Sequence, residues 1–377
     1  MKIVFLARYL PQHGSITHCY ALAQGLIDRG HDIHMVSAGP TEKESAIKIF
    51  NESLQLGIKH HTVGFPLYSD NKPIGRIKQL YQYATAVPRG LTILFKLKPD
   101  IIHVHYPVTS YLAKIYCSLT RKKFVTTYHI SGIPKHPLHT KADYVIAISS
   151  ELQKELSSRL HYNDKQIKLI YNGVSTKKFH KSFSSNQIAN AKNSLELPSN
   201  KTLIGFIGSY THRKGIDVLL DAVHTLNKSD YHLILVGESE NDDGWITSQV
   251  TRLNLDENVT IYPYRDPVIF YEIMDIFVLP SRKEGFPLVT IEAMMMGIPT
   301  IRSRVEGSTD QIEHGKSGYL FTNEDSNELS RYIQLLLSNE ALRKSIGERS
   351  RVNANMLFSD EIMITKLLSV YKQAMNF

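Results

Sequence analysis

Glu284-Gly-Phe-Pro-Leu-Val-Thr-Ile-Glu292-Ala-Met-Met-Met-Gly297-Ile-Pro299 follows the short apolar run Ile276 to Pro280. A strand ending at Pro280-Ser281, a glycine-bearing loop and a helix from about Val289 would aim backbone N–H groups and the positive end of a helix dipole at one spot. Such a spot suits a phosphate. Glu284 falls in the loop and Glu292 in the first turn or so of the helix, so the two carboxylates can reach different parts of one ligand. Carboxylates accept hydrogen bonds from sugar and ribose hydroxyls. The plainer alternative is a surface turn followed by a helix with an exposed glutamate.

The strand-loop-helix unit is one of many. Short apolar runs alternate with helix-length amphipathic stretches, the mark of parallel sheets wrapped by helices. A first set runs Ile3 to Ala7, Ile33 to Ala38, Ile58 to Val63, Ile101 to His105, Phe124 to Tyr128, Tyr144 to Ile148 and Lys168 to Tyr171. A second runs Leu203 to Gly208, Leu233 to Gly237, Val259 to Tyr262, Ile276 to Pro280, Pro299 to Arg302 and Gly318 to Phe321. Between them residues 181–200 are rich in Ser, Asn and Lys, sustain no apolar period and are expected to be a linker. The expected domains are thus 1–180 and 201–355, with 356–377 a C-terminal helix able to pack back on the N-terminal domain.

Two α/β domains also fit 377 residues, because single cores stop growing near about 250 to 300. With 42% hydrophobic and 21% charged residues the chain is not disordered. Cys19 and Cys117, the only cysteines, build neither a disulfide framework nor a cysteine-rich zinc site. The apolar run ending at Ala7 is too short for a signal-peptide core, and no stretch reaches about 18 apolar residues. A cytoplasmic protein is expected. The net charge of +8 favours acidic partners; without a basic stripe interleaved with aromatics, nucleic acid is not among those expected.

The two glutamates, with Gly-Phe-Pro between them and Ala-Met after the second, resemble the donor-site motif of retaining glycosyltransferases of family 4. The resemblance implies a GT-B fold, two Rossmann-like parallel-sheet domains facing a central cleft, the first on the acceptor side and the second binding the nucleotide sugar. It implies that Glu284 contacts the donor sugar, that Phe286, Pro287, Leu288 and Val289 meet phosphate through their backbone, and that Glu292 binds the ribose hydroxyls.

The resemblance covers nearly the whole chain. In Gly208-Ser-Tyr-Thr-His-Arg213-Lys214-Gly215, Lys214 matches the family's diphosphate-binding lysine, and Ser209 stands where an arginine is usual. Arg213 either takes over from that arginine or is a solvated residue at a helix start. Tyr262-Pro-Tyr264-Arg-Asp266 resembles the loop whose backbone reads the base, with Pro263 where glycine is common. Glu306-Gly-Ser-Thr-Asp310 and Gly315-Lys-Ser-Gly318 follow the closing pattern, as tight turns or as ligand contacts. Pro11-Gln-His-Gly14-Ser15 resembles the first loop, where Gly14 would let backbone approach the donor. Gly208 and Tyr264 join the expected donor-binding residues. His129 resembles the family's histidine near the donor sugar, although Ile130 departs from the polar residues usual after it; the alternative is a satisfied core histidine. Asn172-Gly173-Val174 matches the turn that closes the first domain.

The reaction implied is transfer of a glycosyl group from a nucleoside diphosphate sugar to a hydroxyl, with retention. Lys214, Arg213, Glu284 and His129 are the catalytic candidates. Positive groups at a leaving diphosphate can replace a metal, and Glu238-Ser-Glu240, the nearest approach to Asp-x-Asp after a strand, reads as a solvated loop. His103 and His105 face one side of a strand, yet no third ligand is evident, so neither metal nor cofactor is expected. Arg76, Lys78, Arg89, Lys96 and Lys98 among apolar residues form either a basic face for anionic membrane, where a lipid-linked acceptor would be met at the cytoplasmic side, or helices packed on the sheet with solvated lysines. Two rival functions stand beside transfer: a nucleotide-sugar-binding protein without catalysis, for which Ser209 speaks, and a sugar-nucleotide epimerase of similar architecture.

Overall fold

The computed structural model describes residues 1–8, 10, 14–41, 44–65, 76–133, 139–239 and 244–375. It divides into two compact units, 1–172 with 360–377, and 173–359.

The first unit carries strands β1 (Lys2–Leu6), β2 (Asp32–Ser37), β3 (Lys59–Thr62), β4 (Ile101–Val104), β5 (Phe124–Tyr128), β6 (Tyr144–Ala147) and β7 (Ile167–Leu169). Helices α1 (Gly14–Ile27), α2 (Glu44–Gln55), α3 (Arg76–Leu97), α4 (Ser110–Thr120) and α5 (Ser150–Ser158) connect them. All strands are parallel, in the order β3-β2-β1-β4-β5-β6-β7. Parallel sheets bury both faces, which is why these strands read as unbroken apolar runs. Ile3, Phe5 and Ala7 enter the core on one face, and Val4 and Leu6 the core on the other.

The second unit repeats the plan with β8 (Thr202–Ile207), β9 (Tyr231–Val236), β10 (Val259–Tyr262), β11 (Ile276–Leu279), β12 (Thr300–Ser303) and β13 (Tyr319–Phe321), ordered β10-β9-β8-β11-β12-β13. Its helices are α6 (Ser185–Ser194), α7 (Ile216–His224), α8 (Trp245–Arg252), α9 (Val268–Ile273), α10 (Leu288–Met295), α11 (Ser308–Gln311), α12 (Ser326–Ser338) and α13 (Glu340–Leu357). Both sheets are therefore the doubly wound, Rossmann-like α/β layers of a GT-B fold. Each reverses strand order beside its first strand, and in open α/β sheets ligands bind at the carboxyl ends of the strands flanking such a reversal. In the second unit those strands are β8 and β11.

The boundaries between the units depart from the sequence expectation. Residues 181–200, expected to be a linker, belong to the second unit and carry α6. Its N-terminus is a capping box in which Ser184 and Gln187 satisfy each other's backbone N–H groups, so polar residues start a helix that no apolar period announces. The chain instead passes between units at 172/173 and again at 359/360. The last helix, α14 (Asp360–Met375), lies in the first unit, where Met363, Ile364, Leu367, Val370 and Tyr371 join the core beneath α1. The Tyr371 hydroxyl stands 2.6 Å from His103 Nδ1.

Candidate functional site

Residues after β8 and β11 meet at the carboxyl ends of the second sheet. Lys214 closes a short 3-10 turn, His212–Lys214, and Gly215 follows with φ +66°. A β-carbon on Gly215 would lie 2.1 Å from the Pro280 carbonyl oxygen, so glycine is what lets this turn press against the end of β11. Lys214 Nζ then reaches Glu284 Oε1 at 2.7 Å. Arg213 Nη1 lies 3.5 Å from Glu284 Oε2 and donates to the Lys283 carbonyl at 2.9 Å, its side chain about half exposed.

Glu284 is buried, with 7% of its surface exposed. Burial pushes its carboxyl pKa up, but Lys214 and Arg213 together outweigh that and hold it below the ordinary value. The site thus contains a buried carboxylate gripped by one nearly buried ammonium and one half-exposed guanidinium.

Helix α10 begins at Leu288 with Pro287 as its N-cap. Proline offers no side-chain cap there, so the first-turn N–H groups keep the unsatisfied, positive character of a helix start. The loop before it is fixed from below. Arg302, fully buried, donates to Gln311 Oε1, and Gln311 Nε2 donates to the Pro287 carbonyl at 3.0 Å. Gly307 (φ +71°) brings its turn so close that a β-carbon would lie 2.3 Å from the Gly285 carbonyl oxygen.

Glu292 is the fifth residue of α10, at the close of its first turn, and is also buried. The Tyr271 hydroxyl donates to Glu292 Oε2 at 2.9 Å. Burial raises the Glu292 pKa to about 7, against the smaller opposing effects of that hydrogen bond and of the Lys178 charge.

Residues 187–353 match the family described as Glycosyl transferases group 1, and residues 13–178 match Glycosyltransferase Family 4. The chain is a GT-B-fold relative of these glycosyltransferases. Among the curated relatives, the capsular polysaccharide biosynthesis glycosyltransferase CapM of Staphylococcus aureus is 27% identical over 327 residues, 79% of this chain and 83% of CapM. Among solved structures, a glycosyltransferase from Rickettsia africae ESF-5 superposes with a TM-score of 0.82 at 22% identity, over 100% of this chain and 98% of that one. Anabaena Alr3699/HepE in complex with UDP gives 0.82 at 20% identity, over 99% and 100%.

Within this glycosyltransferase scaffold the second unit gathers Lys214, Arg213, Glu284 and the start of α10. Gly208 directly follows β8 with the Lys214 side chain alongside, a β-carbon on it lying 3.7 Å from Lys214 Cε. Ser209 leaves no cation directly after Gly208. Phe286 turns its ring inward against Phe358, centroids 5.5 Å apart, which leaves its backbone as the part able to meet a ligand. Tyr264, 47% exposed, follows β10.

In the first unit, residues 11–13 lie outside the described residues and Gly14 opens α1; Glu240 also lies outside them. His129, just beyond β5, sits among other imidazoles rather than alone. Its Nε2 lies 3.4 Å from His105 Nδ1, and its ring centroid 5.4 Å from that of His18. Burial, first of all, holds its pKa well below the ordinary value, so the ring is neutral at pH 7.

Sequence reasoning missed Tyr271, Arg282, Arg302 and Gln311, which hold the two glutamates and their loop. Arg282 alone left a trace, as a cation directly after the strand-ending Pro280-Ser281.

Proposed function

We propose that the chain transfers a glycosyl group from a nucleoside diphosphate sugar to a hydroxyl acceptor with the anomeric configuration retained. The observation that carries this reading is the pair of buried Glu284 and nearly buried Lys214, 2.7 Å apart in the loops after β8 and β11, just ahead of a helix start that no side chain caps. The UDP and UDP-glucose complexes of Anabaena HepE support a uridine donor as the first to test.

When the glycosidic bond of the donor breaks, negative charge grows on the leaving diphosphate. Lys214, Arg213 and the N–H groups of Leu288 and Val289 stabilise that charge more in the transition state than in the bound donor, which is what lowers the barrier. Glu284 keeps Lys214 in place before the donor arrives and accepts from sugar hydroxyls afterwards. Glu292, oriented by Tyr271, accepts from the ribose hydroxyls. Gly208 admits the donor closely, and the backbone around Tyr264 reads the base. These fixed positive groups make transfer independent of a divalent metal.

The acceptor we infer is a precursor of a cell-surface glycan, in line with the capsular role named for CapM. Arg89, Phe95 and Lys96 of α3, with Lys98 after it, are exposed, as an approach to anionic lipid at the cytoplasmic face requires. No helix among the described residues is long and apolar enough to cross a membrane. Sedimentation with anionic vesicles is expected at low salt, lost by Lys96→Glu with Lys98→Glu; no binding at any salt would remove the membrane contact.

The deciding experiment offers UDP-, GDP- and ADP-sugars with and without hydroxyl acceptors and reads the anomer formed by NMR. Transfer or slow donor hydrolysis with the α linkage kept is expected from an α donor. Binding without either reaction would favour the non-catalytic reading, and release of an epimerised nucleotide sugar the epimerase.

A further inference from the structure

We propose that the first unit binds a thiophilic divalent cation, zinc foremost, through Cys19, His105 and His129. One ligand atom from each lies within 4.8 Å of the other two. They come from α1, from the end of β4 and from the end of β5, elements packed against one another in one core.

The separation of the two imidazoles fits an ion better than it fits a hydrogen bond. His105 Nδ1 and His129 Nε2 are 3.4 Å apart. Two nitrogens at about 2.0–2.1 Å from a common tetrahedral zinc stand about 3.3–3.4 Å from each other. An N–H···N hydrogen bond would draw them to roughly 3 Å. His105 is moreover buried to 1% exposure, and neither of its ring nitrogens has a hydrogen bond of ordinary length: Nε2 has no partner in the protein and Nδ1 has only His129. His103, two residues earlier on the same strand, is by contrast bonded to Tyr371 and Thr127 at 2.6 and 2.7 Å.

The ligand set selects the ion. One sulfur and two imidazole nitrogens, with no carboxylate among them, suit zinc and exclude magnesium and calcium, which take oxygen. Binding breaks the Cys19 S–H bond: the electron pair stays on sulfur and bonds the metal, and one proton leaves to solvent. Three protein ligands leave a fourth position for water or a small anion. Of the three ligands His129 alone is partly exposed.

The probe is cobalt(II), a spectroscopic substitute for zinc, titrated into the whole chain after treatment with a chelator. One equivalent is expected to bind, to give the sulfur-to-cobalt charge-transfer band and the intense visible bands of a tetrahedral ion, and to be displaced by zinc. Cys19→Ser should abolish the charge-transfer band, and His129→Gln should weaken binding at least about tenfold. Circular dichroism reports whether each variant folds; if buried Cys19 tolerates no serine, the His129→Gln titration decides. No saturable cobalt binding, a spectrum without the sulfur band, or affinity unchanged in His129→Gln would each overturn the site. These spectra do not depend on glycosyl transfer, so the site stands or falls separately from the proposed reaction.

Discussion

Arg282 grips Asp217 with two hydrogen bonds of 2.8 and 2.7 Å, tying the loop that ends in Glu284 to the first turn of α7. The same guanidinium donates to the His212 carbonyl at 2.7 Å, at the head of the turn that ends in Lys214. Lys214 and Glu284, 70 residues apart in sequence, are thus clamped to a common frame by a residue that is neither. Lysine at 282 keeps the charge but cannot form the fork. Arg282→Lys should lower kcat by about 10- to 100-fold, the range expected when reacting groups shift by a fraction of an ångström to one ångström. Steady-state kinetics, with a melting curve to exclude unfolding, checks this; wild-type kcat would show that the clamp is dispensable.

Lys214→Ala should reduce turnover by a factor on the order of 10² to 10³, as removal of one preorganised donor does elsewhere. Arg213 stands farther from Glu284 and is half exposed, so Arg213→Ala should cost less than Lys214→Ala while still lowering kcat. Turnover at the wild-type level in Lys214→Ala would sink the electrostatic mechanism, and in Arg213→Ala only the replacement of the arginine missing at Ser209.

Glu292 carries a pH signature. Its pKa is raised by burial from 4.5 to about 7, so between those values the native state holds more proton than the unfolded state. Stability falls as pH rises through that window and the full loss is present above it. Glu292→Gln should therefore raise the unfolding free energy at pH 8 by on the order of 1–3 kcal/mol, with a much smaller gain at pH 5. The same change should weaken UDP binding, since glutamine accepts ribose hydroxyls less strongly than a carboxylate. Urea unfolding at the two pH values and calorimetry with UDP separate the effects; unchanged UDP affinity would reject the ribose assignment.

Turnover should survive EDTA, because lysine, arginine and helix N–H groups serve the leaving diphosphate. Activity lost to EDTA and restored by magnesium or manganese would overturn that prediction.

The strands were legible because buried parallel strands spell unbroken apolar runs, and Glu284 and Glu292 because a strand, a glycine loop and a helix start fix where they fall. Helix α6 was not, since Ser184 and Gln187 build it by capping rather than by an apolar stripe. Tyr271 and Arg282 were hidden for another reason. Their partners lie 21 and 65 residues away, and only the closed sheet brings them to Glu292 and Asp217. Cys19 carries no motif of its own in the sequence; its proximity to His105 exists only because α1 returns along the sheet between β1 and β2.

The return of α14 to the first unit sets an order of events during synthesis. Residues 1–172 leave the ribosome long before 360–377, and until then Leu22, Leu26 and the rest of the core beneath α1 have no cover from Ile364, Leu367 or Tyr371. The second unit, continuous in sequence, is complete by residue 359, while the first, with all its strands made, still lacks α14. A nascent chain stalled before residue 360 should therefore hold a protease-resistant second unit and a first unit that chaperones still bind, and supplying residues 360–377 as a separate peptide should complete it.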